Sequence, residues 1–373
     1  MQSLFRKATD LHSEFGLLVM TGAAARSFSR RVPFLIEAVI SPIELGCYAA
    51  HYYWETDKSR IECLMDAKRG FKPESYFFLG LDTRDTDRYI PGTDSLRLVN
   101  KNAAEVLNDK VAIYAIFEEI VDHFPTLYGM IYDDRYVSRD DESRSLLETV
   151  ETHGTVVVKP ADLWQGKGVH VLSYEDGKYR VDGDPSEEAA IDRLQHNSGY
   201  ENYMVTAYLH QHSYADEIFD GATNSIRLMT ALDPETGEPQ LVRAAHRFGT
   251  AGSAPTDNWE SGGVAAPIDH ESGEIQPLVV LDENSKRQRA DQHPGTNAQV
   301  TGVEIPMWKQ VRKTICRGAR SYQMSRLTAW DVVITEDGPM LLEASGAPGV
   351  HTLQLNEGLL ENPIVRRVFE RSA

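Results

Sequence analysis

The stretch at residues 328–349, TAWDVVITEDGPMLLEASGAPG, limits what this chain can fold into more than any other. Two short apolar runs, DVVI at 331–334 and PMLL at 339–342, have strand composition, and EDG at 336–338 supplies turn chemistry between them. The pattern predicts a β-hairpin. Asp331 opens the first expected strand and Glu343 closes the second, so in an antiparallel pair those two ends lie side by side. Neighbouring carboxylates at the end of a buried hairpin repel each other, and a cation relieves the repulsion. Hard oxygen ligands suit Mg²⁺, which takes one or two carboxylates together with substrate phosphates. The competing reading is a hairpin whose end acids face solvent. Acids in that position are expected to add little to a core, so replacing either should leave the fold intact.

With 373 residues, 41% of them hydrophobic, the chain is long enough for two or three packed subdomains around a sizeable core. A formal net charge of −18 argues against nonspecific binding to nucleic acid or anionic membranes, both of which favour basic surfaces. Cys47, Cys63 and Cys316 lack metal-ligand spacing and read as reduced, mostly buried thiols. No apolar run approaches the roughly 20 residues of a membrane span. The run GLLVM at 16–20, behind Arg6 and Lys7, is too short for a signal-peptide core. A soluble, cytoplasmic protein without membrane insertion is the expectation.

Residues 1–98 carry little readable chemistry; helical periodicity over 36–54, with Tyr48, Tyr52 and Tyr53, reads as a packing region or an acceptor-docking module. From Asn102 a helix is predicted, because Val106, Ile113, Ile116, Phe117 and Ile120 recur at helical spacing. Lys110 lies just inside it. Next, the β-branched run at 155–158 delivers Lys159 and Pro160 into a loop containing Gln165, Gly166, Lys167 and Gly168, with a further strand expected at 169–173. Glycines let backbone N–H groups approach phosphate oxygens and lysine supplies a point charge, so this is a phosphate cradle in outline. It is not a Walker A motif. At 203–209 another strand is expected. Residues 224–230, NSIRLMT, alternate so that Arg227 and Met229 share one strand face and Ile226 and Leu228 the other. Arg243, His246 and Arg247 follow. Arginines gathered on neighbouring strands of an acidic protein point to an anion held in bidentate fashion, with a structural salt bridge as the alternative, chiefly for Arg243. His246 reads as a structural histidine before a general base. Trp308, Val311 and Ile315 are expected on the core face of a helix leading to the hairpin.

Taken in order, these motifs resemble the ATP-grasp superfamily. The acidic strand, the Asp-Gly turn and the second strand ending in Glu343, with Pro348 and Gly349 beyond, are similar to its metal-binding end. There Glu is followed after one residue by Asn; here that place holds Ser345. Lys110 and Lys159 resemble the family's two nucleotide lysines, and residues 165–168 its phosphate lid. The run at 203–209 resembles the hinge that offers adenine its backbone, with Val205 and Tyr208 as the nucleotide-contacting positions. Asn258-x-x-x-Gly262-Gly263 is similar to an element of the glutathione synthetase and ribosomal-protein glutamate ligases. Gln211-His212, the strand from Asn224 to Arg227, His293-Pro294-Gly295-Thr296 and the motif from Gly302 to Trp308 resemble one narrower branch, the sugar-transfer-associated ATP-grasp family, expected to act in surface-polysaccharide biosynthesis.

The resemblance implies an α/β fold in which two α+β subdomains, residues 99–204 and 205–373, grip ATP behind a helical N-terminal region, 1–98. It implies an ATP- and Mg²⁺-dependent ligase joining a small-molecule carboxylate to an amine through an acyl phosphate. Lys110 and Lys159 would hold phosphates beneath the lid, and Asp331, Glu343 and Ser345 would carry Mg²⁺. Arg227 would stabilise the transferring phosphoryl group, with Arg243, Arg247, Asn258, Gly262 and Gly263 toward the substrate. A kinase on the same scaffold, or a non-catalytic ATP-binding partner of a biosynthetic complex, are the alternatives.

Overall fold

Among the described residues, strand pairing sorts fourteen strands into two seven-stranded antiparallel sheets. The computed structural model describes residues 46, 48–50, 58–68, 70–71, 73–140, 143–161, 168–196, 202–281 and 287–372. The chain divides into two compact units, one comprising Met1–Gly92 with Leu281–Arg287, the other Thr93–Val280 with Gln288–Ala373. What is described of residues 58–92 in the first unit is helical, with helices Arg60–Lys68 and Pro73–Leu79. Buried Asp66 organises it, accepting hydrogen bonds from Lys58, Tyr76 and Thr86. The expected helix at 36–54 lies almost wholly outside the described residues.

In the second unit, β1 (Leu127–Tyr132), β2 (Arg135–Ser138), β3 (Thr155–Pro160), β4 (His170–Glu175), β5 (Lys178–Val181), β6 (Asp184–Ser186) and β7 (Asn202–Ala207) form a sheet ordered β2-β1-β7-β3-β4-β5-β6. The alternation expected of a one-sided sheet decides its faces. Val156, Val158, Leu172, Tyr203 and Val205 pack in a core with Leu146 and Val150 of the helix Leu146–His153 and Ile191 of the helix Glu188–His196. Lys159, one residue out of phase, projects from the opposite face. The helix Leu146–His153 starts where it does because Ser145 and Glu148 form a reciprocal capping box.

The second sheet is ordered β12-β11-β10-β9-β8-β13-β14, from β8 (Ile226–Leu232), β9 (Pro239–Phe248), β10 (Val264–Pro267), β11 (Leu278–Leu281), β12 (Arg287–Ala290), β13 (Leu327–Thr335) and β14 (Gly338–Ser345). One face is apolar. Ile226, Leu228, Trp330 and Val332 meet Val311, Ile315 and Ala319 of the helix Trp308–Ser321 there. Trp330 is wholly buried and donates its indole N–H to the Thr230 hydroxyl at 2.9 Å. Gly318 lets the helix approach, since a Cβ there would lie 2.7 Å from both the Trp330 ring and Ile120 Cδ1.

Two expectations need correction. The hairpin is longer than its apolar runs, so Asp331 lies in mid-strand rather than at an end; Thr328, Ala329 and Trp330 extend β13 because they are buried between β8 and β14. The helix from Asn102 is broken into Asn102–Val106, Ala112–Ile116 and a 3₁₀ turn Glu118–His123. Asp109 breaks it, its side chain accepting the backbone N–H groups of Val111 at 2.8 Å and Ala112 at 3.1 Å, an N-cap arrangement.

Candidate active site

The non-apolar face of the second sheet gathers the charged residues by register alone. Asp331 stands directly opposite Glu343 on β14 and directly opposite Arg227 on β8. Arg227 in turn faces Ala245, and Arg243 and Arg247 lie two residues to either side of Ala245 on β9. Residues two apart share a strand face, so Arg243, Arg247, Arg227, Asp331, Glu343 and Ser345 all emerge on one side.

Arg227 grips Asp331 in a fork: Nε donates to Oδ1 at 2.8 Å and Nη2 to Oδ2 at 2.7 Å. Arg247 adds a third contact, Nη2 to Oδ2 at 3.0 Å. All three side chains are largely buried, at 19%, 10% and 12% exposure for Arg227, Asp331 and Arg247. Burial alone would raise the Asp331 pKa, but the two guanidiniums outweigh it and hold the carboxyl well below the usual range. The expectation that this acid contributes little to the fold therefore fails, because removing it takes the forked carboxylate from buried Arg227 and one of two carboxylates from Arg247.

Glu343 behaves in the opposite way. Burial, with the charge of Asp331, pushes its pKa up against the pull of Lys110, Arg227 and Lys159. Lys159 reaches the same place from β3. Burial and the neighbouring Lys110 lower its ammonium to about 8, with Glu343 opposing them. Lys110 is 7% exposed and sits in the helix break, its backbone N–H donating to Ala161 just past β3 at 3.1 Å. Two lysines and Glu343 are thus brought together from three separate segments. Gly346, just past β14, lets the chain run close to the helix Asn102–Val106, since a Cβ there would lie 2.7 Å from Ala104 Cα.

Asp331, Glu343 and Ser345 share one face of the sheet, and their oxygens are of the hard type that suits Mg²⁺. A carboxylate offers about four lone-pair sites, and guanidinium N–H groups take three of them at Asp331, so a cation there would have to displace some of those contacts. The donors fit one Mg²⁺ completed by substrate phosphates. Among the described residues no cluster of three or more His, Cys, Asp or Glu could hold a metal.

The other expected site residues fall elsewhere. Gln165, Gly166 and Lys167 lie outside the described residues; Gly168 adopts a positive φ of 70° at the start of the segment leading to β4. Val205 is enclosed within the first sheet, paired to Gly129 on one side and Val158 on the other, while Tyr208 follows the end of β7. Arg243 pairs with Glu357 at 2.8 Å and also reaches the Gly358 carbonyl, so it anchors the C-terminal segment. Asn258 caps the 3₁₀ turn Trp259–Ser261, its Oδ1 accepting from the Glu260 N–H at 3.2 Å. Gly262 closes that turn at φ 101°, and Gly263 passes so near the Asp257 carbonyl that a Cβ would lie 2.6 Å from it.

His246 is structural. It stacks on Phe248, Nδ1–H donates to the Arg247 carbonyl at 3.0 Å, and Nε2 accepts from Tyr214 at 2.8 Å. Burial lowers its pKa to about 3. The branch-specific motifs likewise build a polar knot: Gln211 accepts the Asn224 N–H, Asn224 accepts the Gly249 N–H, and His293 Nε2–H donates to the Gly249 carbonyl. Asp257 and Ser225 escaped the sequence reading. Asp257 accepts the Ser225 N–H at 2.8 Å and its hydroxyl, and lies 3.3 Å from Arg247 Nε. Only the position of Asp257 beside Asn258 could have flagged it.

The family model described as sugar-transfer associated ATP-grasp matches residues 94–367, and the chain belongs to that family. No curated protein matches the sequence. Among solved structures, the D-alanine–D-alanine ligase of Bacillus anthracis is similar at 11% identity, over 72% of this chain and 70% of that one, with a TM-score of 0.38. The D-alanyl-alanine synthetase A of Vibrio cholerae gives 11%, 71%, 65% and 0.41. The D-cycloserine synthetase DcsG gives 16%, 72%, 71% and 0.37. The family match, not these distant likenesses, carries the assignment. No helix among the described residues is long and apolar enough to cross a membrane.

Proposed function

We propose that the chain is an ATP- and Mg²⁺-dependent ligase that joins a small-molecule carboxylate to an amine through an acyl phosphate. The observation that carries this reading is the register that sets Asp331, clamped by Arg227 and Arg247, directly opposite Glu343, with Lys110 and Lys159 near enough for their charges to act on Glu343. That layout suits a triphosphate on the lysine side and a reacting anion on the arginine side. Asp331, Glu343 and Ser345 would hold Mg²⁺, which when bound neutralises phosphate charge. Lys110 and Lys159 orient the phosphates, and the family resemblance gives residues 165–168 the task of excluding water. A carboxylate oxygen of the substrate attacks the γ-phosphorus, the bond to ADP breaks, and an acyl phosphate forms. Arg227 and Arg247 stabilise charge on the transferring group. The amine then attacks the acyl carbon, phosphate departs with its bridging oxygen, and the amine's proton passes to solvent. The family resemblance favours sugar- or amino-acid-derived substrates in surface-polysaccharide biosynthesis, in the cytoplasm.

A second reading, a non-catalytic nucleotide-binding partner, draws on the clamp of Arg227 and Arg247 on Asp331, which also suits a purely structural acid. Mg²⁺-dependent release of ADP and phosphate, with a panel of amino acids and uronic acids as substrates, separates the possibilities. Stoichiometric free phosphate requiring both a carboxylate and an amine is the expected result. ADP with a phosphorylated acceptor and no free phosphate would make the protein a kinase. ATP binding without turnover across the panel would favour the non-catalytic partner.

A further inference from the structure

Arg247 stands between two carboxylates. Its Nη2 donates to Asp331 at 3.0 Å, its Nε lies 3.3 Å from Asp257 Oδ2, and Nε and Nη2 both donate to the Ser225 hydroxyl. Asp257 is itself fixed, accepting the Ser225 N–H and hydroxyl and preceding the Asn258–Gly263 turn. Arg227 is placed differently. It spends Nε and Nη2 on Asp331 and turns Nη1 to the Gly349 carbonyl at 3.3 Å. Asp331 is therefore hydrogen-bonded to both arginines, whereas Asp257 contacts Arg247 and acts on Arg227 through its charge.

A divalent cation on Asp331 and Glu343 competes for the oxygens the guanidiniums occupy and repels both of them. Arg227 then loses its carboxylate, but Arg247 keeps one. We propose that Asp331 exchanges partners in this way: cation binding at Asp331 and Glu343 turns the Nη groups of Arg227 and Arg247 toward the substrate's anionic group, with Asp257 and Ser225 as positioning residues that keep Arg247 in the site. This rests on the metal assignment made above. Cation and anion binding are then coupled, and linkage requires each to tighten the other by the same factor.

The test uses the full chain with Mn²⁺, followed by electron paramagnetic resonance of the free ion, and inorganic phosphate, followed by calorimetry, corrected for the Mn²⁺–phosphate complex formed in buffer. Each ligand is expected to tighten the other about tenfold, within the usual range of such couplings. Arg247→Ala removes a competitor, so it tightens Mn²⁺ binding while weakening phosphate and reducing the coupling to what Arg227 alone carries. Asp257→Asn leaves Arg247 with Asp331 as its remaining carboxylate, so it weakens Mn²⁺ binding and reduces the coupling. These opposite signs are not produced by a merely structural role, which weakens both ligands in both variants. Should Arg247→Ala fail to fold by circular dichroism, Asp257→Asn carries the test. Mn²⁺ binding that Glu343→Gln abolishes, but that leaves phosphate affinity unchanged, would overturn the exchange and leave the metal site standing. Mn²⁺ binding indifferent to Glu343→Gln and Asp331→Asn would overturn the metal assignment, and the exchange with it.

Discussion

Arg227 and Asp331 face each other across β8 and β13 and are joined by two hydrogen bonds, 2.8 and 2.7 Å long, in a largely buried position. A buried pair of this kind is weak evidence of net stabilisation, but breaking it by removing one partner is costly because an uncompensated charge remains. Asp331→Ala is accordingly expected to destabilise the protein by about 3–5 kcal/mol, read as a lower denaturant midpoint at unchanged slope.

Glu343 supplies the contrast. Its carboxyl is already pushed toward the neutral form by burial and by Asp331. Glu343→Gln is expected to change folding stability by less than about 1 kcal/mol while abolishing Mn²⁺ binding. Equal loss of stability in the two variants would show that the opposed environments of these carboxylates have no consequence.

Lys159 sets a pH dependence. Its pKa falls from 10.5 to about 8 through burial and Lys110, so above that pH the free protein loses the charge that meets a phosphate. ATP affinity should hold below pH 8 and then fall, approaching tenfold per pH unit, until the higher pKa of the complex is reached. The sign for folding is separate: the unfolded lysine binds its proton more tightly, so stability contributed by Lys159 rises between about pH 8 and 10.5 and is flat below. Lys159→Arg should remove the fall in affinity over pH 7–9, measured by equilibrium binding.

Arg243 shares a strand face with Arg227 and Arg247 but is committed to Glu357 and the Gly358 carbonyl. Arg243→Gln should leave Mn²⁺ and phosphate affinity within twofold of wild type and lower stability by about 1–3 kcal/mol. A large loss of phosphate binding at unchanged stability would return Arg243 to the anion site.

Gly318 carries a prediction about the core. Glycine in a helix interior is ordinarily worth replacing with alanine, by roughly 1 kcal/mol. Here the added Cβ would sit 2.7 Å from Trp330 and Ile120, both buried. Gly318→Ala should destabilise by about 1–3 kcal/mol, and a gain in melting temperature would show that helix and sheet separate easily.

Local periodicities along the chain were enough to assign many of the strand faces. The alternation from Ile226 to Met229 put Arg227 opposite the core, and the turn at Glu336-Asp337-Gly338 paired Asp331 with Glu343, because strand geometry follows from side chains two apart and from turn residues. Local physics also explains the break in the Asn102 helix: Asp109 accepts from the N–H groups of Val111 and Ala112, and that capping outweighs the helical spacing of the apolar residues. Tertiary structure alone decided the rest. That Lys110, Lys159 and Glu343 share one charge environment depends on three segments meeting, and no spacing along the chain encodes it. That Asp331 is clamped by Arg227 and Arg247, that Arg243 turns away to Glu357, and that Asp257 stands behind Arg247 depend on which strands are neighbours in the sheet. Electrostatic partnership falls off with distance in space, and sequence separation is no measure of it.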